Sequence, residues 1–135
     1  MTQRTKFKII VYFILFVIAC ILIGWWYFYN SAKTRDYARL GDLKVIQGEM
    51  SRYLLKYNTY IIPNCQNGTL VNYCVGNQSK ISYLGNINDP LGSKGFFYII
   101  NSLSDTDYQI SFGLETSMGG LKPGNHLLGK NGVVK

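Results

Sequence analysis

The chain has 135 residues, with 14 basic and 7 acidic side chains, one histidine and three cysteines, for a net charge of +7. Outside one long apolar run it leaves roughly a hundred residues, enough for a single small core but not for a large multidomain enzyme. No G-x-S-x-G, HExxH, Walker A or Rossmann fingerprint is present, so the common sequence-readable enzyme classes find no footing.

Arg4, Lys6 and Lys8 open the chain without an acid among them. Residues Ile9 to Tyr29 then form 21 consecutive uncharged, mostly apolar positions. A helix of that length reaches ~31 Å, about the thickness of a bilayer's hydrocarbon core. A secretory h-region is shorter and ends in small residues, whereas this run ends in Trp25-Trp26-Tyr27-Phe28-Tyr29. Such aromatics suit a membrane interface, so Trp25, Trp26, Tyr27 and Tyr29 are the expected interface residues on one side, with Lys6 and Lys8 on the other. The run is expected to be a retained transmembrane helix over 9–29, preceded by a cytoplasmic segment 1–8 and followed by an extracytoplasmic head 30–135. Cys20 reads as an apolar filler within the span.

No proline or flexible linker follows the run. Leu40, Leu43, Ile46 or Gln47, Met50, Tyr53 or Leu54 and Tyr57 recur at spacings of three and four, which predicts an amphipathic helix over 33–57. Lys33, Arg35, Arg39, Asp42, Lys44, Glu49, Arg52 and Lys56 fall mostly off that stripe and read as a solvated face. Asn58-Thr59-Tyr60 and Pro63 end the helix. Gly41 and Gly48 weaken it by ~1 kcal/mol each relative to alanine.

Residues 58–92 are rich in Asn, Gly, Ser and Tyr, with only Leu70–Tyr73 and Ile81–Leu84 as short structured candidates. Cys65 and Cys74 lie here, nine apart. In a small domain beyond a membrane span they read as a disulfide formed in an oxidising compartment. Zinc is the rival, but the spacing is not C-x2-4-C, and His126 cannot complete a four-ligand site with two cysteines. Asn88-Asp89-Pro90-Leu91-Gly92 reads as a turn.

Phe96–Ile100 and Tyr108–Leu114 predict an antiparallel hairpin joined through Asp105-Thr106-Asp107, with Tyr108, Ile110, Phe112 and Leu114 on one face. The natural partner for that face is the helix stripe. The glycine-rich tail from Ser117 to Lys135 offers Leu127-Leu128 and Val133-Val134 as short edge segments. The expected fold class is α+β: one long N-terminal helix, half apolar and half amphipathic, packed on a small antiparallel sheet.

Three of the fourteen basic residues precede the span, leaving eleven against seven acids in the head, about +4. Lys80, Lys94, Lys122 and Lys130 are scattered, so nucleic-acid binding is weakly supported. His126 lies among glycines and reads as a surface or turn residue.

The order of these elements resembles that of type IV pilins and type II secretion pseudopilins. Ser31-Ala32-Lys33-Thr34-Arg35-Asp36-Tyr37-Ala38-Arg39-Leu40-Gly41-Asp42-Leu43-Lys44-Val45-Ile46-Gln47 is similar to that family's stretch after the span. Met50 to Pro63, with Tyr53, Tyr57, Tyr60 and Pro63, is similar to its continuation, and Asp89-Pro90, Asp107-Tyr108 and Leu114-Glu115 look like parts of a pseudopilin-like head. The resemblance implies a non-enzymatic, membrane-anchored minor subunit of a pilus or of a secretion or DNA-uptake pseudopilus. Its partners would be lipid and like or related subunits through the N-terminal helix, with no small-molecule substrate. Related pseudopilins bind calcium in a loop of the sheet region, which makes Asn88, Asp89, Asp105 and Asp107 the calcium candidates here; otherwise no cofactor is expected. The pattern departs at the prepilin cleavage motif. Phe7 could stand for the first mature residue, but Lys6 replaces the family's glycine and no glutamate follows. That departure favours an alternative: an uncleaved single-pass protein whose pilin-like head is an extracytoplasmic binding module.

Overall fold

The computed structural model describes residues 3–63, 65–74, 84–92 and 95–134, with side chains from Phe7 to Val133. A single helix, α1, spans Gln3–Tyr57. The chain divides into two compact units, Met1–Thr34 and Arg35–Lys135.

The first unit is helix alone. Its apolar run buries nothing: Phe16, Ile23, Trp25, Trp26 and Phe28 are each about two-thirds exposed or more. The helix is long and apolar enough to cross a membrane. Side chains of this kind left open to solvent in the isolated chain require another apolar environment.

The second unit is α+β. Its sheet has strand order β1-β2-β3-β4, with β1 Ile99–Leu103, β2 Tyr108–Leu114, β3 Gly124–Gly129 and β4 Gly132–Val134. All three pairings are antiparallel. Tyr108, Ile110, Phe112 and Leu114 of β2 are buried, as the alternation predicts, and they join Leu43, Ile46, Met50 and Tyr53 of α1 in one core. Each such side chain contributes ~1.5–3 kcal/mol by leaving water. The stripe ends at Tyr53, because Tyr57 is 38% exposed. Asn58 then takes a left-handed conformation, φ 56, and its N–H donates to Leu54 O at 2.7 Å, closing the helix as an αL cap does.

Several expectations need correction. Strand β1 begins at Ile99 rather than Phe96, because Phe96 is drawn out of the ladder by the contacts described below. The tail builds two strands: Leu127-Leu128 lie inside β3, an interior strand paired on both sides, and of the two only β4 is an edge. Its hairpin turns through Lys130-Asn131, with Gly132 at φ 105 supplying a conformation that L-residues avoid. Leu70 makes only an isolated bridge to Ile99, and Val71–Tyr73 coil into a 3-10 turn. Of the second candidate, Leu84 starts another 3-10 turn, Leu84–Asn86, and Ile81–Tyr83 lie outside the described residues. Cys65 and Cys74 form the expected disulfide, with Cα atoms 5.0 Å apart and both residues buried.

Candidate functional site

The most consequential departure from the sequence reading concerns charge. Arg39 is fully buried and Glu49 nearly so, rather than lying on a solvated face, and Asp36 is fully buried as well. Lys44, Arg52 and Lys56 do remain exposed. Spacing explains why. Asp36 and Arg39 extend the stripe of Leu43, Ile46, Met50 and Tyr53 backwards at intervals of three and four, so the face that enters the core begins with an ion pair.

Burying such charges is costly unless each is paired and hydrogen-bonded, and here each is. Arg39 Nε and Nη2 donate to the two carboxylate oxygens of Asp89 at 2.6 and 3.0 Å. Arg39 Nη1 donates to Asp36 Oδ1 and Glu115 Oε1, both at 2.7 Å. Arg35 holds Glu115 through Nε at 2.8 Å and Nη2 at 2.6 Å. Asp36 also receives the Thr116 N–H and hydroxyl, each at 2.7 Å, and the Glu115 N–H. Asp89 receives the Leu91 N–H at 2.7 Å across Pro90, an Asx-type turn.

The cluster therefore joins three parts of the head: the first turns of its helical segment, the Asp-Pro turn, and the chain leaving β2. Aromatic packing closes it. The Phe96 ring lies 4.5 Å from the Arg39 guanidinium. Gly113 makes room for that ring, since a Cβ at 113 would come within 2.9 Å of Phe96 Cδ1. Nearby, the Tyr98 hydroxyl donates to Asp42 Oδ2 at 2.9 Å.

Electrostatics follow the geometry. Burial opposes the charge on Arg39, but the hydrogen bonds to Asp89, Asp36 and Glu115 outweigh it and drive the guanidinium pKa further up. The hydrogen bond from Arg35 is the largest influence on Glu115 and, with Arg39, holds that carboxyl below its usual range against burial. Burial raises Asp42, and it raises the Tyr98 phenol strongly. A cluster in which each charge already faces its opposite is chemically a clamp: it offers neither a free nucleophile nor a poised proton.

The calcium candidates are dispersed among other partners. Asp89 holds Arg39, and Asn88 Oδ1 accepts from Asn72 Nδ2 at 2.7 Å. Asp105 accepts from the Thr59 hydroxyl at 2.8 Å, while Asp107 accepts the Tyr108 N–H at 2.9 Å. Among the described residues no group of three or more His, Cys, Asp or Glu side chains could hold a metal ion. His126 lies in β3, its Nε2 hydrogen-bonded to the Lys122 carbonyl at 2.7 Å, rather than in a turn. Lys122 and Lys130 are exposed, and Lys80 and Lys94 lie outside the described residues. Trp25, Trp26, Tyr27 and Tyr29 present open rings on α1, and Lys8 is exposed; the Lys6 side chain lies outside the described residues.

The helical spacing of Asp36 and Arg39 could have exposed the cluster, but periodicity in one helix could not have named Asp89 and Glu115 as its partners. No family model matches the chain, and no curated protein or solved structure matches it significantly.

Proposed function

We propose that this chain is a membrane-anchored, pilin-like structural protein, a minor subunit of a type IV pilus or of a type II secretion or DNA-uptake pseudopilus. In this reading the N-terminus is cytoplasmic, the apolar half of α1 spans the membrane, and the head is extracytoplasmic. The observation that carries it is α1 itself: 55 residues of unbroken helix, apolar and unburied in its first part, with its later part forming the core of a four-stranded antiparallel head. That is the layout the sequence resemblance implies. The Cys65–Cys74 disulfide supports an oxidising compartment for the head. The ion cluster supports a mechanical role, since it ties the start of the head's helical segment to the rest of the head.

A second reading is favoured by Lys6-Phe7-Lys8-Ile9-Ile10-Val11, where Lys6 stands in place of the family's glycine and no glutamate follows Phe7. In it the protein is neither cleaved nor assembled, and the head acts as a binding module. Two measurements separate them. The intact mass of membrane-extracted protein reports whether the chain begins at Met1 or Phe7. A photo-crosslinking residue at Gly24, where an added side chain meets nothing within 4 Å, reports helix neighbours. Cross-linked products containing like or related subunits support assembly; uncleaved, uncross-linked monomer in native membranes overturns it.

A further inference from the structure

The loops that the disulfide ties down also form a cleft of about 370 Å3. It lies within the ~300–1,000 Å3 range of small-ligand sites. Buried Ile87 and Tyr98 and half-buried Leu70 line it, and Pro90 and Gly92 contribute from the Asp-Pro turn. Two lining rings face outward: Tyr73 is 68% exposed and Phe97 38%. Neither ring is required by the core.

Among the described residues, the side-chain amides of Asn72 and Asn88 lie in the same lining as these rings. Asn72 Nδ2 donates to Asn88 Oδ1, while Asn72 Oδ1 has no hydrogen-bond partner among the described residues. That atom is an acceptor lacking a donor, and buried polar atoms in native proteins are seldom left so. Asp89 is the one charged side chain among the described lining residues, and Arg39 already holds both its oxygens. Among the described lining residues no charge is therefore left unpaired to select a phosphate or an ammonium group.

Exposed aromatic faces beside side-chain amides match one ligand chemistry closely. A sugar ring offers an apolar C–H face to stack on Tyr73 and Phe97, and hydroxyls that both donate to and accept from amides. Tyr73 is adjacent in sequence to Cys74 and sits in the 3-10 turn Val71–Tyr73, so its backbone is constrained before any ligand arrives, which lowers the ordering cost of binding. We propose that this cleft is a binding site for neutral oligosaccharides, a recognition function additional to any structural role. It requires neither cleavage nor assembly of the chain.

The test uses the full chain in zwitterionic micelles, avoiding sugar-headgroup detergents that would compete. Saturation-transfer difference NMR is recorded with chitotetraose, cellotetraose and maltotetraose at millimolar concentration. The expected result is transfer to ring C–H protons of at least one of them. Tyr73→Ala and Phe97→Ala each weaken that binding by roughly five- to tenfold, the loss of about one stacked face. Tyr37→Ala, an exposed tyrosine of α1 outside the cleft lining, leaves it unchanged. Because Tyr73 lies outside the core, its truncation leaves the head folded, and near-UV circular dichroism checks this. Silence from all three sugars, or binding indifferent to both cleft substitutions, overturns the proposal. Either result leaves the filament reading standing, because cross-linking through Gly24 is read separately.

Discussion

Replacing Arg39 with methionine probes the clamp directly. Methionine keeps an unbranched stem beneath the Phe96 ring but removes the charge and every donor. The loss does not fall evenly. Asp36 retains the Thr116 N–H, the Thr116 hydroxyl and the Glu115 N–H, and Glu115 retains Arg35. Among the described residues Asp89 keeps only the Leu91 N–H, although its side chain is just 2% exposed. An uncompensated buried carboxylate after loss of one partner costs about 3–5 kcal/mol. In a domain of roughly a hundred residues each kcal/mol moves the midpoint by about 4–8 °C, so Arg39→Met should lower it by at least about 12 °C. The assay is thermal melting of the full chain in detergent, followed by near-UV circular dichroism of the head's tyrosines. Adding Asp89→Asn to Arg39→Met removes the stranded charge and should return at least about 1.5 kcal/mol, a coupling typical of contacting residues. A midpoint within about 4 °C of wild type, or a double variant that simply adds the two losses, would refute the reasoning.

Three further outcomes follow from the same structure. Reducing the Cys65–Cys74 bridge, or replacing both cysteines with serine, should cost about 2–3 kcal/mol on the chain-entropy model for so short a loop; an unchanged urea midpoint with and without reductant would count against it. Glu115, whose carboxyl is depressed chiefly by Arg35, contributes stability that is complete above the ordinary carboxylate pKa of ~4.3 and is lost as pH falls through the lower folded value. Melting across that acid range should therefore fall less steeply in Glu115→Gln than in wild type. Tyr108 is buried with a hydroxyl that has no partner among the described residues, and burial pushes its phenol up to about 12. Tyr108→Phe should be neutral or stabilising by up to about 1 kcal/mol at pH 7. It should also remove a loss of stability that wild type shows as pH rises from the ordinary tyrosine value of ~10 towards 12; a marked destabilisation at pH 7 would mean that the hydroxyl is bonded.

What could be read from the chain, and what could not, divides along a physical line. Local periodicity carries local information. The period of two in Tyr108, Ile110, Phe112 and Leu114 and the three-four spacing from Leu43 to Tyr53 placed both faces of the core correctly, because each face is a property of its own backbone. The cysteines announced their bond because a small domain beyond an apolar span has few other uses for them. Long-range pairing leaves no such trace. Phe96 continues an aromatic strand pattern, yet its ring leaves the ladder for Arg39, and the position that admits it is Gly113, in another strand. Arg39 falls in phase with the core stripe, yet its charge points to solvent, since a buried ion is sustainable only with partners, and its distant partners lie 50 residues away at Asp89 and 76 away at Glu115. When a charged pair falls in phase with a core stripe, the physical question is which distant acids and bases neutralise it, because the fold can bury such a pair only by bringing them there.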